Sequence, residues 1–136
     1  MIRNAIIQAK RSKFERARVG AVICNGKRIV SSGFNSINRH QFLVVSAWRG
    51  SIHAEQAAIG KLLQKNKHKE LKGATIYIAR IGNSGNLYSN LCSSGNRNFG
   101  NYRISKPCSR CFDLIKKVGI KKVVYTTNNG VESYRV

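Results

Sequence analysis

Acidic side chains are scarce in this chain of 136 residues: five Asp and Glu stand against 25 Lys and Arg, a formal net charge of +20. So few acids exclude a self-neutralised surface and make the protein attractive to polyanions. The basic residues gather in three stretches, Arg3 to Arg18, Lys61 to Lys72 and Arg97 to Lys122. The partner this predicts is a polyanion, RNA or DNA first. Long apolar runs are missing too. No stretch approaches the roughly 18 residues that a membrane span needs, and the opening MIRNAIIQAKRSK has neither an apolar h-region nor a small-residue cleavage site. The expectation is a protein without membrane contact, intracellular and cytoplasmic, with the nucleus or a virion as the alternative. Cysteine is limited to Cys24, Cys92, Cys108 and Cys111. A chain of this length builds one core without disulfide staples, so the close Cys108/Cys111 pair points to metal or redox chemistry in a reducing compartment. Neither a repeat nor a linker is visible, and a single domain over 1–136 is expected.

Apolar residues in 2–17 recur near helical spacing (Ile2, Ala5, Ile6, Ala9, Phe14), which predicts an amphipathic helix with a basic outer face. VGAVIC (19–24), a turn at Asn25-Gly26 and KRIVSSG (27–33) predict a β-hairpin. IHAEQAAIGKLLQK (52–65) suits a helix with Ser51 as N-cap, and GATIYIAR (73–80) a buried strand. A short helix follows over 108–118, with Pro107 at its start, and KKVVYTT (121–127) is a further strand. Asn129-Gly130 then turns the chain into VESYRV (131–136), an expected antiparallel edge strand. The order α-β-β-α-β-α-β, with a final β, predicts a three-layer α/β/α sandwich around a mixed sheet of about five strands. Residues 81–106, rich in Gly, Asn and Ser, form an irregular insertion that is long for so small a domain.

Two short motifs carry chemistry. His53-Ala54-Glu55 opens one predicted helix, and Pro107-Cys108-Ser109-Arg110-Cys111 opens another. Cysteines three apart on a helical turn put their sulfurs on one side. Two thiolates and an imidazole fill three tetrahedral zinc positions and leave the fourth open, as a catalytic site requires. Helix N-termini also favour the thiolate form. Glu55, two residues from a proposed ligand, is placed to move protons. A four-cysteine structural zinc site would have to recruit Cys24 and Cys92, which have no paired spacing. A thioredoxin-like redox role leaves the His-Ala-Glu turn unexplained.

Taken together, VGAVI, GFN, HAE, LKGATIYIA, PCSRC and GIKKVVY resemble the cytidine and deoxycytidylate deaminase superfamily, which includes the tRNA adenosine deaminases. The resemblance implies a five-stranded sheet between helices, with Zn²⁺ held by His53, Cys108 and Cys111 and Glu55 as proton shuttle. It also implies hydrolytic deamination, in which water attacks the ring carbon bearing the amine and ammonia leaves. Asn35 matches an asparagine that contacts the substrate sugar in relatives; as a residue type it equally suits the turn after a strand. The Ala54 backbone is an expected contact to the base by the same analogy.

Substrate signals point two ways. In the resembled superfamily His as first ligand goes with nucleotide, tRNA or single-stranded DNA substrates, whereas an antiparallel last strand goes with free nucleosides. Lys106 stands before Pro107, where Glu or Ser is usual. Trp48 and His40 are candidate stacking residues beside the pocket; His40 and His68 lack ligand spacing and suit the surface. Tyr88, Phe99 and Tyr102, interleaved with Arg97 and Arg103, could stack bases and hold phosphates of a single strand. The expected function is a zinc-dependent deaminase converting cytosine to uracil in a nucleotide or in nucleic acid, acting as a homo-oligomer. The alternative is a basic structural or nucleic-acid-binding subunit of a viral particle or ribonucleoprotein, and Glu55 argues against it, since a structural zinc site has no use for that acid.

Overall fold

The computed structural model describes residues 1–13, 17–36, 52–82 and 102–136. Helix α1 spans Ile2–Arg11, and the hairpin strands β1 and β2 span Arg18–Asn25 and Arg28–Phe34. Helix α2 covers Ala54–Gln64, followed by one 3₁₀ turn at His68–Glu70 and strand β3 at Thr75–Ile81. The short strand β4 (Tyr102–Arg103) leads to helix α3 (Ser109–Val118), then β5 (Lys122–Thr127) and β6 (Gly130–Arg135). The sheet runs β2-β1-β3-β5-β6, with β4 added to β3. Among the described strands only β3 and β5 run parallel, a pairing that needs the crossover that α3 provides. Every other pairing is antiparallel. This is the mixed sheet the element order predicts, and the last strand is antiparallel as expected.

Alternation along the central strands divides the core in two. Ala21, Ile23, Ile76, Ile78 and Val123 pack with Ala54, Ala58, Ile59, Leu62 and Ile115 under α2 and α3. Val22, Cys24, Ala79 and Ile81 pack on the other face against Ala5, Ile6 and Ala9 of α1. Glycine sets both approaches. A Cβ on Gly20 would collide with the backbone of Ala5, Gln8 and Ala9, and one on Gly33 would lie 2.7 Å from the Ala58 amide nitrogen. Helix α1 therefore rests directly on β1, and α2 on β2.

Several boundaries differ from the expected ones. Helix α1 ends at Arg11 because Ser12 turns extended (φ −68°, ψ 138°) and its N–H closes on the Ala9 carbonyl. The N-cap of α2 is His53, not Ser51, which lies outside the described residues. Both hairpin loops shift by one position: Asn25 pairs with Arg28 and Thr127 with Gly130, so the turning residues are 26–27 and 128–129. The expected irregular stretch over 81–106 contains a strand at its far end, where Tyr102 pairs with Ile81 and Arg103 with Arg80. Pairing of β3 with β5 stops at Ile78 and Tyr125. Ser105 fills the gap beyond, giving its hydroxyl to the Ile78 carbonyl (2.8 Å) and taking the Thr126 N–H (2.9 Å). A crevice at the carboxyl end of parallel strands is where this class of sheet places its ligands.

Candidate metal centre

The first half of the site is the start of α2. His53 is extended at the N-cap (φ −75°, ψ 154°), and its N–H donates 2.8 Å to Gln56 Oε1. Gln56 is 1% exposed, so the side chain that holds this turn is locked by packing. Ala54 and Glu55 beside it are also buried. Glu55 thus enters the interior on the first turn of a helix, where the dipole favours a negative charge.

The second half is the start of α3. Cys108 takes the N-cap in extended backbone (φ −68°, ψ 168°) and is exposed, whereas Cys111 one turn on is buried. Ser105 anchors the segment before it, so the N-cap follows three residues after a tethered point. His53 Nδ1 lies 3.4 Å from Cys111 Sγ and 3.8 Å from Cys108 Sγ, and the three donor atoms lie within 4.8 Å of one another. Zinc at the usual bond lengths to one nitrogen and two sulfurs would set tetrahedral donor separations of roughly 3.5–3.8 Å. The set fits a zinc ion on spacing as well as on donor type.

Burial governs the titration of this group. It pushes the Glu55 carboxyl up, while its own N–H and a hydrogen bond from the Cys111 thiol pull the other way. Burial likewise pushes the Cys111 thiol far up, and the charges of Glu55 and Cys108 add to it. It lowers His53, so the imidazole is held neutral, the form that ligates metal. A cavity of about 270 Å³ opens above these residues, bounded by Ala17, Asn35, Ala54, Arg80, Ser105 and Lys106 among others.

Asn35 stands on the cavity wall, with its amide engaged at both ends. Its Oδ1 accepts from Val19 N–H (2.9 Å) and its Nδ2 donates to the Ala17 carbonyl (2.6 Å). Those bonds run to residues 16 and 18 positions away in sequence, and Asn35 also lines the cavity. Trp48 lies outside the described residues, as do His40, Cys92, Tyr88, Arg97 and Phe99. Tyr102 and Arg103 are described as strand backbone. His68 is exposed in the 3₁₀ turn, and Cys24 is buried on the α1 face, away from the cavity. Two wall residues escaped the reading from sequence. Ser105 carried no signal. Arg80 carried one, a charge at the end of the otherwise apolar alternation Ile76, Ile78.

Residues 1–127 match the family described as the cytidine and deoxycytidylate deaminase zinc-binding region. The chain belongs to that family. It is 26% identical over 142 aligned residues to a deoxycytidylate deaminase of Schizosaccharomyces pombe, covering 96% of this chain and 37% of that protein, so it spans little more than a third of the relative's length. Among solved structures it is similar to the dCMP deaminase of cyanophage S-TIM5 (TM-score 0.60, 20% identity, 93% of this chain and 79% of the other), a protein also solved in complex with dCMP and dUMP. It is similar as well to the cytidine deaminase of Burkholderia pseudomallei (TM-score 0.62, 18% identity, 98% and 88% covered). Both likenesses establish the deaminase fold, the α/β/α sandwich.

Proposed function

We propose that this chain is a zinc-dependent hydrolytic deaminase that converts cytosine to uracil in a deoxycytidine nucleotide. The observation that carries the reading is the convergence of His53, Cys108 and Cys111 at one cavity with the buried Glu55 beside them. Zinc held by those three residues would supply Lewis acidity and make a water acidic enough to attack near neutral pH. Glu55 takes one proton from the attacking water and delivers it to the ring nitrogen, then takes the second proton from the oxygen now bonded to the ring carbon and passes it to the leaving amine. The water oxygen stays on the ring carbon, the bond from that carbon to the amine nitrogen breaks, and ammonia departs. A carboxyl whose proton affinity is raised by burial suits a group that must both take and return a proton.

Asn35 keeps one Nδ2 hydrogen and one Oδ1 lone pair beyond its two tethering bonds, so the tether orients the amide toward substrate. The backbone at Ala54, in the first turn of α2, offers amide hydrogens with no intrahelical acceptor. A nucleotide substrate is supported by the named activity of the yeast relative. The formal charge of +20 supports a second reading, in which the same cytosine chemistry acts on a nucleic-acid strand.

The test is turnover. Zinc-loaded protein is incubated with dCMP, cytidine, single-stranded DNA and RNA, and ammonia release is measured beside a Glu55→Ala control. Release from dCMP, lost in the control, is the expected result. Stoichiometric zinc with no release from any substrate would overturn the catalytic reading, and release only from strands would favour the second.

A further inference from the structure

We propose that Arg80 is the residue through which this site selects a phosphorylated substrate over a free nucleoside, by taking the phosphate on its guanidinium. The inference rests on the deaminase reading above and adds to it the group that recognises the anionic end of the substrate. Arg80 is the sixth residue of β3. It follows Ile76 and Ile78 on the face that packs under α2 and α3. Period-2 alternation would put a third apolar side chain there. A guanidinium stands there instead, where the apolar layer ends and the cavity begins.

The position is costly without a ligand. Arg80 Nε is buried and has no hydrogen-bond partner among the described residues. Its backbone N–H is satisfied by Thr126 Oγ1 at 3.1 Å, so the strand itself is well paired and the deficit is confined to the side chain. A buried polar donor left without a partner calls for an explanation, and an absent anion is one. Among the described residues no carboxylate neutralises it. Of the five acids, Glu70 pairs with Arg28, Glu132 takes a hydrogen bond from Tyr125 and Asp113 is exposed on α3. Glu15 lies outside the described residues. Glu55 shares the cavity, yet no ion pair joins it to Arg80. A second cation, Lys106, also lines the cavity, so among the described residues the lining holds two basic side chains against one carboxyl. Guanidinium is the group of choice for bidentate phosphate recognition, and it stays charged at every working pH.

Both a nucleotide's phosphate monoester and a strand's diester would satisfy this cation, and the experiment separates them. Binding of dUMP, deoxyuridine and a short deoxyuridine oligonucleotide to the zinc-loaded protein is measured by calorimetry for the parent, Arg80→Ala and Arg80→Lys. Steady-state kcat/KM is taken in parallel on dCMP and deoxycytidine. The expected result is a loss of roughly 10- to 100-fold for the phosphorylated ligands in Arg80→Ala, with deoxyuridine and deoxycytidine unchanged. Arg80→Lys should recover part of the loss, since it restores the charge and not the fork. A loss confined to dUMP and dCMP assigns the monoester; a loss that includes the oligonucleotide assigns the phosphate in a strand. Equal losses for phosphorylated and unphosphorylated ligands, or no loss in either, would overturn the proposal. Absence of turnover in the parent would count against the deaminase reading alone, because the binding ratio still reads Arg80.

Discussion

At the start of α2 the first three residues, Ala54, Glu55 and Gln56, are all buried, whereas at the start of α3 Ser109 and Arg110 face solvent and only Cys111 turns inward. The two helix ends supply the metal centre jointly, and they do so by different means. The α2 end is held by the Gln56 bond to the His53 N–H, and the helix lies so close to β2 that a Cβ at Gly33 would meet its backbone. The α3 end is held mainly from behind, by the Ser105 hydroxyl wedged between β3 and β5. The α2 end therefore acts as the fixed jaw, carrying Glu55, the acid proposed to move protons. The α3 end contributes one sulfur from the interior and one from the surface.

The largest break in this contrast is chemical. Glu55→Gln should lower kcat by about 10²–10⁴-fold, the usual contribution of a positioned acid–base group. Zinc content, read by metal analysis, should stay stoichiometric, because the acid is not one of the three donors. Next comes the fixed jaw itself. Gly33→Ala puts a methyl group against the backbone of α2 and should cost about 1–3 kcal/mol in denaturant unfolding, with weaker zinc binding because His53 moves with the helix.

Proton competition comes third. Cys111 holds its proton because burial, and after it the neighbouring charges, raises the thiol, and zinc must displace that proton to bind. The sign follows: lower pH favours the protonated thiol, so zinc affinity falls as pH falls. The expected slope is about tenfold per pH unit for each thiol proton released, measured by chelator competition. The smallest effect separates the two sulfurs. In the metal-free protein, Cys111→Ala should cost about 1 kcal/mol for the lost buried contacts, while Cys108→Ala should stay within about 0.5 kcal/mol, as exposed positions do. Both should lose tight zinc binding, which shows that equal ligands need not be equal structural residues.

The metal centre was legible in the sequence because its chemistry is concentrated. His53, Glu55, Cys108 and Cys111 lie in two short motifs at helix starts, and residue types that ligate zinc are few. The sheet was legible for a different reason: Ala21 to Cys24 and Ile76 to Ile81 alternate between two helical layers, so burial is written into their period. Turn positions were less so. Asn25-Gly26 and Asn129-Gly130 were correctly read as hairpin signals, but the closing pair is set by strand register, which local composition does not contain. Ser105 is the clearest case of what stays hidden. Its importance lies in the Ile78 carbonyl and the Thr126 amide it meets, both distant in sequence, and a serine after an isoleucine announces neither.

The pairing of Tyr102 with Ile81 has a consequence for how such a protein can vary. The chain leaves the sheet at Ile81 and rejoins it at the residue opposite, so whatever lies between begins and ends on the same clasp. Lengthening a segment whose ends are already joined adds only about 0.6 kcal/mol per doubling in closure entropy. Ser105 and Cys108 follow the clasp, so a change of length upstream need not move the sulfurs. Chain length between the two ends of the clasp is thereby decoupled from the placement of the metal ligands, so the one can change while the other is kept.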